Sequence, residues 1–174
     1  MTLKRLWAPW RLPYISRIGS VKPVRGCLFC QKSRSRDEAR DLILTRGTHA
    51  FSLLNLFPYN NGHLMVAPYR HVGQISALSS EEWLDLFRLA DDAIVRLQRE
   101  LRPQGYNLGI NLGRAAGAGI PDHLHLHIVP RWMGDTNFMP ICADTKVVSQ
   151  SLREARRTLK QGRVRSRRPA KSRR

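Results

Sequence analysis

Asp122-His123-Leu124-His125-Leu126-His127-Ile128-Val129-Pro130 is the stretch on which the reading of this chain turns. Polar and apolar residues alternate strictly in it. Side chains at i, i+2 and i+4 share one face of a β-strand. Leu124, Leu126 and Ile128 are therefore expected to enter a core. The three imidazoles then stand in a row on the other face, roughly 6.6 Å apart at about 3.3 Å per residue. Half of the chain's 6 histidines fall in this one segment. Histidine is the side chain best suited to proton transfer, nucleophilic attack and metal binding near neutral pH. A row of three marks a site; a solvated strand face is the plainer alternative.

Upstream lies Gly109-Ile110-Asn111-Leu112-Gly113-Arg114-Ala115-Ala116-Gly117-Ala118-Gly119-Ile120, with little bulk after Leu112. Such a loop lets backbone N–H groups approach an anion closely, because no Cβ stands in the way. It lacks the lysine and spacing of a P-loop, and a strand rather than a helix follows it. An ordinary flexible connection is the alternative. Directly ahead of a histidine row, it reads as a phosphate cradle beside a nucleophile, with Asn111 set to bond a phosphate or ribose oxygen. Asp122 serves either the turn or a neighbouring histidine. Attack on an α-phosphate needs a nucleophile, donors for the phosphoryl oxygens and a proton for the leaving group.

The cysteines are Cys27, Cys30 and Cys142. Gly26-Cys27-Leu28-Phe29-Cys30 is a C-x-x-C, which reads as metal or redox. It sits in a loop-like stretch after Pro23, whereas thioredoxin-type chemistry needs a strand leading into a helix. Tetrahedral zinc needs two further ligands. His71 and His123 are the candidates; a pair of reduced thiols is the alternative. Cys142 has no partner and reads as a buried thiol.

At 174 residues the chain is long enough for one domain with a substantial core. No apolar run is long enough for a membrane span. Lys4 and Arg5 precede no long apolar run or small-residue cleavage site, so no secretory signal is expected. A reducing cytoplasm is the expected location. The net charge is +17, and residues 151–174 hold eleven Lys/Arg against one Glu. We therefore divide the chain into a domain over 1–160 and a basic disordered tail over 161–174. The tail suits weak contact with nucleic acid or another polyanion, or simple solubility. Excess positive charge on the body suits an enzyme that attracts polyphosphates.

Strands are expected over 41–45, 49–56, 64–67, 106–112 and 123–129, the last closed by Pro130. Ser79-x-x-Glu82 is a capping box opening a helix over 80–101. Its apolar stripe is Trp83, Leu86, Phe87, Ala90, Ile94, Leu97 and Leu101, with Pro103 and Gly105 as the stop. A second helix is expected over 147–159, with Val148, Leu152, Ala155 and Leu159 on one side. The fold class is α+β: roughly five antiparallel strands, a long helix packed on them and a C-terminal helix, with helices on one face.

His123-Leu-His125-Leu-His127-Ile-Val resembles the signature of the histidine-triad (HIT) superfamily. Phe51 to Pro68, Leu6-Trp7-Ala8-Pro9-Trp10-Arg11 and Val129 to Phe138 resemble its bacterial branch. That branch is similar to diadenosine tetraphosphate phosphorylases and fragile-histidine-triad-type dinucleoside polyphosphate hydrolases. The resemblance covers roughly residues 6 to 160. It implies a HIT-like fold and a nucleotidyltransferase or hydrolase. His125 is then the nucleophile that is transiently nucleotidylated. His127 contacts the phosphate and helps the leaving group, and His123 completes the triad. Asn55 binds ribose. Asn111 and the backbone of Gly117, Ala118 and Gly119 hold phosphate oxygens, and His63 orients the triad. Many relatives carry Gln, Ser or Thr where this chain has Ala118 and Gly119, so only backbone acts here. The resemblance also implies structural zinc on Cys27, Cys30, His71 and His123, no organic cofactor, and a homodimer or tetramer to which Trp7-Ala8-Pro9-Trp10 contributes. A nucleoside phosphoramidase of the same superfamily and a zinc-organised nucleic-acid-binding module are the alternatives.

Overall fold

Short alternating segments separated by glycine turns pair with their neighbours. The computed structural model describes residues 26–135 and 150–161. Its strands are β1 (Ile43–Arg46), β2 (Ala50–Leu54), β3 (Leu64–Pro68), β4 (Gly105–Ile110) and β5 (Leu126–Arg131). They form one antiparallel sheet in the order β1-β2-β3-β5-β4. Gly47 N–H closes the β1–β2 turn on Ala50 O at 2.8 Å. The helices are α1 (Leu28–Arg34), α2 (Ser80–Leu101) and α3 (Leu152–Gln161).

α2 starts as expected. Ser79 Oγ accepts from Glu82 N–H, and Glu82 reaches back to Ser79 N–H, so the capping box is complete. It ends at Leu101 because Arg102 turns left-handed, with φ 47°, immediately ahead of Pro103. Leu86, Leu89, Ala90, Ala93 and Leu97 pack on Leu44, Ala50, Leu54, Leu64, Val66, Leu126 and Ile128. The expected stripe needs correction. Phe87 is 52% exposed and stacks on half-buried Trp83, while Leu89 and Ala93 take the core side. Counting Phe87 widened the stripe beyond the arc one sheet face covers.

The other sheet face carries a second cluster of Ile43, Phe51, Leu53, Met65 and Ala67, covered by Phe29 of α1. Helices therefore lie on both faces, against the expectation of one. The C-x-x-C is likewise not in a loop: Cys27 occupies the N-cap position of α1, and Cys30 lies within its first turn.

α3 buries Ala155 and Leu159 in the α2-side core. Its start is organised by Ser151 and Glu154, each N–H donating to the other's side chain, at 3.1 and 3.3 Å. Arg156 Nε donates to Ile43 O at 3.2 Å and Lys160 Nζ to Leu44 O at 2.9 Å, so α3 lies along β1. Residues 147–149, Cys142, Trp7-Ala8-Pro9-Trp10 and the tail beyond 161 lie outside the described residues. Among the described residues no helix is long and apolar enough to cross a membrane.

Candidate functional site

The histidine row keeps its predicted alternation but not its strand. Leu124, Leu126 and Ile128 are buried in the α2-side core; His123, His125 and His127 are buried toward the other face. Yet β5 begins at Leu126. β3 pairs with β5 only from Leu64↔Ile128 to Val66↔Leu126. The next ladder position on β3 would fall to Pro68, which has no N–H. Leu124 N–H bonds Val72 O instead, at 2.7 Å, and Pro68 O faces His123 Nε2 at 2.9 Å. At the far end β5 runs through Pro130 to Arg131, where only β4 pairs with it. A proline is tolerated where one side of a strand is unpaired.

These contacts fix protons. A carbonyl only accepts, so His123 Nε2 carries hydrogen and Nδ1 carries the lone pair. That Nδ1 lies 3.2 Å from Cys27 Sγ, 3.6 Å from Cys30 Sγ and 3.3 Å from His71 Nδ1; His71 Nδ1 is 3.4 Å from Cys30 Sγ. All four ligand atoms lie within 4.8 Å of one another. A tetrahedral ion with metal–sulfur bonds of about 2.3 Å and metal–nitrogen bonds of about 2.0–2.1 Å needs ligand atoms roughly 3.3–3.8 Å apart. The group fits a metal ion, and it ties α1, the end of β3 and the first histidine of the row together.

His125 Nδ1–H donates to His123 O at 2.8 Å, leaving the lone pair on Nε2. Phe29 packs on His125 with ring centroids 4.8 Å apart. Burial pushes the His125 imidazole below its ordinary range, which keeps it neutral and nucleophilic. His127 is pushed down to about 4, by burial first and by neighbouring His125 second.

The tautomer of His127 follows from His63. Tyr59 N–H donates to His63 Nδ1 at 3.0 Å, and Asn55 Nδ2 lies 3.4 Å from the same nitrogen. His63 Nδ1 is thus an acceptor, and its hydrogen sits on Nε2. Nε2–H in turn faces His127 Nδ1 at 3.0 Å. His127 must then carry its own hydrogen on Nε2, an atom that is buried without a hydrogen-bond partner among the described residues. The pair presents one lone pair and one N–H: a nucleophile beside a donor, the requirement for displacement at phosphorus.

The remaining predicted residues fall into place unevenly. Asn55 uses Oδ1 to accept Phe57 N–H at 3.0 Å, which turns its amide nitrogen toward His63. In the glycine loop, Gly117 N–H donates to Arg114 O and Ala118 N–H to Gly113 O. Both are spent inside the loop's own turn; of the loop positions singled out in the sequence, exposed Gly119 and half-buried Asn111 stay outside it. Asp122 is exposed and meets no histidine among the described residues. It lines an open cleft of about 870 Å³ with His71, Val72, Gly73, Leu112 and Pro121. Sequence reasoning missed Phe29, whose signal was an aromatic inside the C-x-x-C. It also missed Tyr59, whose ring lies 4.7 Å from that of His63 and 5.8 Å from that of His127.

A neutral, buried, tautomer-fixed histidine pair on an α+β sheet defines a nucleotide-processing site of the histidine-triad kind. The sequence profile of the HIT domain matches residues 36–133. AP-4-A phosphorylase of Mycobacterium tuberculosis is 40% identical over 164 residues, spanning 90% of this chain and 83% of that one. Bis(5'-adenosyl)-triphosphatase of Dictyostelium discoideum is 34% identical over 82 residues, spanning 47% and 54%. The crystal structure of a Zn-bound histidine triad family protein from Mycobacterium smegmatis aligns with TM-score 0.59 at 26% identity, covering 78% of this chain and 91% of that one. The chain belongs to the HIT domain family.

Proposed function

We propose that this chain is a histidine-triad enzyme that cleaves dinucleoside polyphosphates of the diadenosine tetraphosphate class. The observation that carries this is the buried pair with opposed protonation, a lone pair on His125 Nε2 beside a hydrogen on His127 Nε2. The similarity to a phosphorylase and a triphosphatase supports the substrate class.

In the first step His125 Nε2 attacks the phosphorus next to one nucleoside. A nitrogen–phosphorus bond forms, the bond to the bridging oxygen breaks, and its electron pair leaves with the departing nucleotide. His127 Nε2–H supplies the proton. Asn111 and Gly119 N–H stabilise the phosphoryl oxygens, and Asn55 holds ribose. In the second step an oxygen of inorganic phosphate, or water, attacks the adduct, gives its proton to His127 and frees His125. Diadenosine tetraphosphate and phosphate thus yield ATP and ADP; with water they yield ATP and AMP.

The ion held by Cys27, Cys30, His71 and His123 is zinc in this reading, because two thiolates and two imidazoles in a tetrahedron suit it. With all four ligands from protein it supplies a cross-link rather than chemistry. The same reading makes the chain a homodimer or tetramer acting in a reducing cytoplasm, with the basic stretch over 161–174 as a polyanion-binding tail.

The test is chromatography of products from diadenosine tetraphosphate with and without inorganic phosphate. ATP plus ADP formed only with phosphate makes it a phosphorylase. ATP plus AMP without phosphate makes it a hydrolase. No turnover under either condition overturns the reading in favour of the phosphoramidase chemistry of the same superfamily.

A further inference from the structure

The turn that carries Tyr59 has an anchor far along the chain. Asn60 Nδ2 donates to Asp135 Oδ2 at 2.8 Å and to Pro130 O at 3.0 Å. Asp135 is gripped by Arg131, with Nε to Oδ2 at 2.6 Å and Nη2 to Oδ1 at 2.8 Å. Trp132 N–H adds a bond to Oδ2 at 3.1 Å. Arg131 in turn reaches Asn107 Oδ1 of β4 at 2.8 Å. The carboxylate is thus fully engaged, and the guanidinium first among its partners holds it down to about 2. A bidentate arginine–carboxylate pair with further donors is a rigid unit.

Asn60 transmits that rigidity. Its carbonyl accepts His63 N–H at 3.1 Å and its Oδ1 accepts Asn61 N–H at 3.1 Å. The turn from Tyr59 to His63 is closed from inside and clasped from outside. Gly62, at φ 72°, lets it lie on α2: a Cβ there would stand 2.7 Å from Leu101 Cδ1 and 2.9 Å from Leu97 Cδ2. Clasp and glycine together hold Tyr59 N–H against His63 Nδ1. Without that donor only the longer approach of Asn55 Nδ2, at 3.4 Å, disfavours a hydrogen on His63 Nδ1; with the hydrogen there, Nε2 would accept from His127 Nδ1–H. His127 Nε2 would present a lone pair where a hydrogen is needed.

We propose that Asp135, acting with Arg131 through Asn60, is a positioning residue that fixes the hydrogen of His127 on Nε2. It touches neither substrate nor the reacting atoms. The inference rests on the proposed role of His127 as proton donor, but its structural core is independent of turnover.

The experiment is nitrogen-15 NMR of the histidine rings in the full chain, alongside steady-state kinetics with diadenosine tetraphosphate. In the parent, His63 and His127 should both appear as Nε2–H tautomers. Asn60→Ala and Asp135→Asn should each mix the His127 tautomers and lower kcat roughly 10- to 100-fold, with KM within about twofold. Arg131→Lys keeps the charge and should retain the parent tautomer with a smaller loss; it also covers the case in which Asp135→Asn fails to fold. An unchanged His127 tautomer in folded Asn60→Ala, or an Nδ1–H tautomer in the parent, would overturn the proposal. A parent with the expected tautomers and no turnover would instead overturn the proposed substrate and leave the clasp standing.

Discussion

Arg70 and Glu82 are locked face to face, with Arg70 Nε on Oε1 at 2.9 Å and Nη2 on Oε2 at 2.6 Å. The pair joins the residue before the candidate metal ligand His71 to the first turn of α2, where the same carboxylate receives Ser79 N–H at 2.8 Å. Arg70 first, then the cap, hold the Glu82 carboxyl down to about 2. A carboxylate depressed in the folded state adds stability that is present above its unfolded pKa and lost as pH falls through the folded one. Glu82→Gln should therefore destabilise the chain by about 1–3 kcal/mol at neutral pH, discounted because Arg70 is half exposed. The difference from the parent should shrink between about pH 4.5 and pH 2. Urea unfolding of both chains across that range checks it.

His125→Ala should lower turnover of diadenosine tetraphosphate by at least about 1,000-fold, because it removes the proposed nucleophile rather than a binding contact. Polyanion binding should survive. Retained turnover would rule out the histidine adduct. In the parent, burial disfavours the imidazolium forms of His125 and His127. kcat/KM should therefore hold as pH falls through about 6.5, the ordinary imidazole value, where an exposed histidine nucleophile would already fail.

Gly73 lies under the approach to the histidine row. A Cβ there would stand 2.8 Å from Pro121 O and 3.1 Å from Asp122 Cα. Both obstacles are backbone and neither yields cheaply. Gly73→Ala should cost about 1–3 kcal/mol and depress kcat by shifting His123 and His125. Thermal unfolding and kinetics on one preparation separate the two effects.

Removing the metal should act on stability before chemistry. Elemental analysis should find one zinc per chain, lost in Cys30→Ser and in His71→Ala. Chelation should lower Tm by several degrees, since an ion on these four donors would cross-link α1 to the segment after β3 and to the row. A chain that keeps its Tm in chelator would argue for unmetallated thiols.

The parts of the fold set by local rules were legible in the sequence. The capping box placed the start of α2 to the residue, and the alternation of His123 to Ile128 sorted core from site. The same alternation misplaced the start of β5, since the pairing limit is set by Pro68, remote in sequence. α1 went unseen because seven residues carry too little periodicity. Phe87 was misassigned because the angular width of a buried face depends on what the helix packs against. Of the site, the four candidate metal donors are readable as residue types, while the distances that bring them together come only from the fold. The spent N–H groups of Gly117 and Ala118 and the clasp of Asn60 by Asp135 have no local signature at all.

The docking of α3 along β1 has a consequence for assembly. Arg156 and Lys160 occupy the carbonyls of Ile43 and Leu44 at one margin of the sheet. At the opposite margin, no strand lies beyond β4 among the described residues. Carbonyls already engaged by side chains have less to offer an incoming strand, so the β1 margin resists the edge-to-edge addition that builds a fibre.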